Sequence, residues 1–189
     1  MVRSMVRPLI RPLISGGGGA REIYNLNGID EHITIPTVAL VGGDSFSFKF
    51  IGIQVDSGSY RGFLNPASGT TLKVRLQSDN TLLVGGVDLG AILLDGVAVP
   101  NGHAMPTDGL EHTLALTLIF SSSIMFVGSG TAGANPYNSA IYDLSITAAS
   151  GNRFYPINDG WANNPVIADT ISNQDGTSTN FTEERWVEK

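Results

Sequence analysis

Three arginines stand four residues apart near the start of the chain: Arg3, Arg7 and Arg11 in MVRSMVRPLIRPLIS. A guanidinium presents a planar fork of donors that matches a carboxylate, so a spaced row of them suits attachment better than catalysis. Apolar pairs separate them, among them Leu9-Ile10 and Leu13-Ile14. A helix would put the three arginines roughly on one face. Pro8 and Pro12 argue against it, because each lacks a backbone donor and biases the residue before it, Arg7 or Arg11, toward extended geometry. Residues 1–15 are therefore expected to form an extended or kinked anchoring arm. Its apolar pairs are expected to fill grooves on a partner protein and its arginines to meet carboxylates there. Residues 16–21, GGGGAR, read as a glycine-rich hinge. An arginine interrupts the apolar residues at every fourth position, so neither a signal peptide nor a membrane span is expected.

Other reactive side chains are sparse. His32, His103 and His112 are scattered, with no spacing that pairs them on one strand or helix face as metal ligands. The chain has no cysteine, which removes disulfides, thiolate nucleophiles and zinc–sulfur sites. Asp56, Asp88 and Asp95 do not form a spaced calcium loop. Glu183 and Glu184 are adjacent and point to opposite sides if extended, which is not the facing pair that glycoside hydrolysis needs. No catalytic residue, metal or cofactor is expected.

Ser45 is the strongest look-alike of a nucleophile. The stretch TVALVGGDSFS imitates the strand followed by Gly-Asp-Ser that opens the GDSL esterases. Such an enzyme also needs Asp-x-x-His near its end, whereas Asp108 and His112 stand four apart in DGLEH. FSFKFIGIQV then continues as a strand, so Ser45 has no sharp elbow to expose its oxygen. An esterase is a remote alternative.

The elements that position these residues follow from composition. Of 189 residues, 15% are charged and 23 are glycine, a balance that favours strands and turns over helices. Residues 1–21 carry four arginines and no acid; residues 22–189 carry 7 basic and 17 acidic side chains. An acidic body repels phosphates, so nucleic acid is excluded as its partner, and the basic arm is expected to have a partner of its own.

Along the body, SFSFKFIGIQV is the clearest strand, with Phe46, Phe48 and Phe50 on one face. EHITIPTVALVGGD is β-branched, with Pro36 marking an edge or a break. TTLKVRLQSDNTLLVGG reads as a hairpin turning at Ser78-Asp79-Asn80, and EHTLALTLIFSSSIMFVGSG as one turning at its serines. SAIYDLSITAASGNRFYPI reads as a third. Leu114, Leu116, Leu118, Ile141 and Leu144 join the phenylalanines as expected core. The last thirty residues are rich in Asn, Asp, Gly and Thr. They are expected as an irregular segment held by Trp161, Val166, Ile167, Ile171, Phe181 and Trp186.

EHTLALTLIFSSSIMFVGSG followed by NPYNSAIYDLSIT resembles the late strands of concanavalin A-like, laminin-G-like jelly rolls. Ile141, Asp143, Leu144 and Ile146 fit that pattern; Tyr137 and Ser139 depart from it. RFYPINDGWANNPVIADTISNQDGTSTNF and VRPLIRPLI resemble parts of tailed-bacteriophage structural proteins that carry such modules. The resemblance implies an all-β, antiparallel jelly-roll β-sandwich over residues 22–189, with an extended N-terminal arm and an irregular C-terminal segment. It implies a non-enzymatic virion surface protein, either capsid decoration or a small tail fibre, docked on other virion proteins through its arm. A homo-oligomer is compatible with this. A free lectin-like carbohydrate-binding module is the alternative. Host-surface glycans are a second candidate partner, for which Tyr60, Tyr137 and Trp161 are the aromatic candidates, with Asn138, Asp159 and Asn163 nearby.

Overall fold

A computed structural model of the chain describes residues 22–24, 26–27, 29–55, 60–66, 72–85, 89–119, 121–129, 137–157, 166–182 and 185–188. Two antiparallel sheets pack face to face as a β-sandwich, and no α-helix occurs among the described residues. The seven-stranded sheet runs β13 (Val166–Ile167), β14 (Gly176–Thr179), β2 (His32–Leu40), β10 (Ser122–Val127), β4 (Arg61–Asn65), β5 (Lys73–Leu76), β6 (Leu82–Gly85). The six-stranded sheet runs β12 (Arg153–Tyr155), β11 (Ile141–Thr147), β3 (Ser45–Ile51), β9 (Glu111–Leu118), β7 (Leu89–Leu94), β8 (Val97–Ala98). A separate pair, β1 (Glu22–Tyr24) with β15 (Trp186–Glu188), joins the two ends of the described chain.

The alternation of SFSFKF is what builds the core. Phe46, Phe48 and Phe50 are buried, and β9 answers them in register with Leu116, Leu114 and His112. Phe48 and Phe50 meet Phe63 of the opposite sheet at 5.2 and 5.3 Å between ring centres, so the two sheets share one apolar cluster. Each such side chain contributes about 1.5–3 kcal/mol by leaving water. Leu114, Leu116, Leu118, Ile141 and Leu144 are buried as the sequence leads one to expect.

Three local expectations are corrected. β9 and β10 are not a hairpin: β9 pairs with β3 and β7, while β10 pairs with β2 and β4 in the other sheet. The chain therefore crosses the sandwich between Leu118 and Ser122, and Ser122 and Ser123, already in β10, pair with Leu40 and Ala39. Of the two readings of Pro36, the break is corrected, because β2 runs through it, while the local edge is what the pairing shows. On one side β14 pairs only as far as Thr34. On the other the register with β10 shifts, Thr34 facing Phe126 and Val38 facing Ile124. This bulge absorbs the missing donor and switches the buried positions of β2 from Ile33 and Ile35 to Val38 and Leu40. The C-terminal segment is not wholly irregular, since β14 extends the seven-stranded sheet beside β2. Of its expected anchors, Ile167 and Phe181 are buried, but Val166 and Ile171 are exposed.

Candidate functional site

The GGDS stretch proves to be a turn device. Gly43 has φ 95°, in the left-handed region that glycine tolerates. A side chain at Gly42 would meet the carbonyl oxygen of Ile119 at 2.8 Å. The Asp44 carboxylate accepts from the Val41 amide at 2.8 Å and from the Ala149 amide at 3.0 Å, tying the turn before β3 to the turn after β11. Ser45 then pairs with Thr117 at one end of β3, while His112 pairs with Phe50 at the other. Five residues of strand separate them by roughly 17 Å. Ser45 and His112 cannot share a proton. Ser45 instead lines a shallow depression of about 260 Å³ on the outer face of the six-stranded sheet, with Ser47, Ala115, Thr117, Ser145 and Thr147.

His112 belongs to a different arrangement. Its Nδ1 lies 2.7 Å from Asp95 and its Nε2 lies 3.0 Å from Asp108. A neutral imidazole has one N–H, so two carboxylates on two ring nitrogens call for the imidazolium. Burial works against that charge, but the hydrogen bonds and charges of Asp95 and Asp108 outweigh it and raise the His112 pKa. Burial likewise opposes ionisation of Asp95, but hydrogen bonds from His112 and the Thr113 amide bring its pKa below the ordinary value. Asp108 is lowered by His112 and by the Leu110 amide. The ring also lies against Phe50, 5.7 Å between centres. This is a clamp joining the turn between β7 and β8 to the loop before β9. Asp95 stands in an Asp-Gly pair with φ 51° and 79°, a two-residue hairpin signal that the sequence displays. With both nitrogens engaged, His112 has no lone pair to offer a metal. Among the described residues, no group of three or more His, Asp or Glu is placed to hold a metal ion.

Of the aromatic candidates for glycan contact, Tyr137 is corrected outright. It is fully buried, 4.7 Å from the Phe63 ring, and its hydroxyl donates to the Ile51 carbonyl at 2.6 Å. Burial pushes its hydroxyl pKa up. It pins the rim of the sandwich and offers no face to a sugar. Trp161 lies outside the described residues, as do Arg3, Arg7, Arg11, Leu9, Ile10, Leu13, Ile14 and the hinge. Tyr60 is half-buried beside β4, and the Arg75 guanidinium lies over its ring at 4.5 Å. Arg75 was not among the sequence-derived candidates. Its signal was available: from Ser57 to Ser78 the chain holds Arg61, Lys73 and Arg75 and no acid.

A second network ties together the two ends of the described chain. Glu31 is buried; it accepts from the Tyr24 hydroxyl at 2.7 Å and meets Arg185 at 3.3 Å. Tyr24 stacks on Phe181 at 3.6 Å. Burial, followed by the bond to Glu31, pushes the Tyr24 hydroxyl pKa up to about 12. Comparison of the chain with protein-family models, with curated proteins and with solved structures finds no match.

Proposed function

We propose that this protein is a non-enzymatic virion component of a tailed bacteriophage, a jelly-roll sandwich held on the particle surface by its N-terminal arm. The observation that carries the reading is the division of charge. Residues 1–21 hold four arginines and no acid, while residues 22–189 hold 17 acids against 7 bases. A cationic, proline-stiffened segment ahead of an anionic domain separates attachment from display. The prolines lower the entropy lost on docking, and the glycines let the domain sit off-axis. The jelly-roll reading draws support from connectivity, since β2, β3 and β4 and again β9, β10 and β11 alternate between the two sheets. Removing residues 1–15 takes away none of the described strands. The truncated chain is expected to stay folded by circular dichroism and to stop co-sedimenting with particles that retain the full chain. Unchanged incorporation would overturn the anchoring role.

Glycan adhesion is a second reading, and Tyr60 favours it. It is the one sequence-derived aromatic candidate among the described residues whose ring is not fully buried.

A further inference from the structure

We infer that Tyr60, Lys73 and Arg75 form a binding site for a carboxylate-bearing polysaccharide, such as a polyuronate or polysialate. This rests on the adhesion reading and specifies its ligand. In a body with ten more acids than bases, three of the seven basic residues fall on the neighbouring strands β4 and β5. Those strands and β6 contain no acid. Lys73 and Arg75 alternate with Val74 and Leu76, which are buried, so both cations project from the outer face of the seven-stranded sheet.

What these cations do not do is the telling part. Among the described residues, Lys49 pairs with Glu111 and Asp143, Arg153 with Asp169, and Arg185 with Glu31. Lys73 and Arg75 pair with no described carboxylate, although acids outnumber bases more than two to one in the body. Arg75 instead rests on Tyr60, and its buried Nε has no hydrogen-bond partner. The ring contact restrains the guanidinium, and no described carboxylate takes up its donors. A restrained guanidinium that meets no described carboxylate, with an ammonium two residues along the strand, is a receptor for a carboxylate flanked by hydroxyls. The acidic surroundings choose among polyanions. A dense polyphosphate is repelled by the body as a whole, whereas a polysaccharide with one carboxylate per sugar places its charge at the patch and neutral hydroxyls elsewhere.

The test is calorimetric titration of the full chain with polygalacturonate and with polysialic acid, beside neutral dextran and duplex DNA. Acidic glycans are expected to bind, and more weakly as salt rises. Arg75→Gln is expected to weaken that binding by about tenfold to a hundredfold. Arg75→Lys, which keeps the charge and loses the fork, should fall between, with folding of each variant checked by circular dichroism. Binding of dextran as tightly as the acidic glycans, lost with Tyr60→Ala, would overturn the acidic specificity and leave adhesion standing. DNA bound as tightly as the glycans would reduce the patch to a general polyanion surface and overturn the proposal. No binding to any saccharide would remove both the site and the adhesion reading.

Discussion

His112 shows how a single side chain can mislead in sequence and still matter in structure. Asp108 and His112 look like fragments of a catalytic triad, and they do touch, but with Asp95 they form an ionic clamp. Its pH dependence has a definite sign. Asp95 and Asp108 are held below the ordinary 3.8, so their contribution is present above that value and fades as pH falls through the lowered ones. His112 is held above the ordinary 6.5, so its contribution is complete below 6.5 and is lost as pH rises through the raised value. The clamp is therefore strongest between the two ordinary values. Urea unfolding of His112→Gln should show a smaller stability difference than the parent between about pH 5 and about pH 8. An equal difference in both proteins would dismiss the clamp as a stabilising device. Phe48 is a plainer case. Fully buried between Phe50 and Phe63, it should cost about 3–5 kcal/mol when changed to Ala, read by the same unfolding curves. Its role was legible because alternation in SFSFKF fixes which face is apolar. Tyr137 was not legible, because Asn and Ser flank it like a loop tip and only the opposing Phe63 and Ile51 carbonyl draw it inward.

Between elements, backbone approach decides what can change. Gly52 follows β3 and exchanges hydrogen bonds with the loop before β9: its amide donates to Leu110 at 2.9 Å, and the Gly109 amide donates to its carbonyl at 3.0 Å. A Cβ there would lie 2.8 Å from the Pro106 carbonyl oxygen and 3.1 Å from an Asp108 carboxylate oxygen. Gly52→Ala should cost about 1–3 kcal/mol through overpacking. It should also lower the His112 pKa toward 6.5, read by proton NMR, because Asp108 is displaced. A His112 titration unchanged from the parent in a folded variant would mean that the loop moves without displacing Asp108. Strand positions were readable from periodicity, but strand partners were not. LTLIFSSSIMF gives two apolar runs joined by serines, which suits a tight hairpin and a crossing between sheets equally. Twist and the closure of the shared core choose the crossing, and neither is a local property of those residues. Pro36 illustrates the same limit, since its tolerance depends on where β14 stops and where β10 shifts register.

At the scale of the molecule, one apolar cluster spans both sheets, so the described body is expected to unfold in a single cooperative transition. Removing residues 1–15 should leave its midpoint unchanged by calorimetry, because every described strand lies after them. A lowered midpoint would mean that the arm packs on its own domain. On the proposed attachment through the arm, the pairing of β1 with β15 has a mechanical consequence. Tension applied through an arm enters at Glu22, runs along β1, and reaches Tyr24 before any strand of the sandwich. Among the described strands, β1 is paired there with β15 alone, through three antiparallel pairs from Glu22 opposite Glu188 to Tyr24 opposite Trp186. Beyond that ladder the Tyr24 ring is stacked on Phe181 and latched through its hydroxyl to Glu31, which Arg185 holds in turn. Tyr24 is thus placed as a stopper knot: a pull along β1 would meet its stacked ring and its latch to Glu31 before it reached β2.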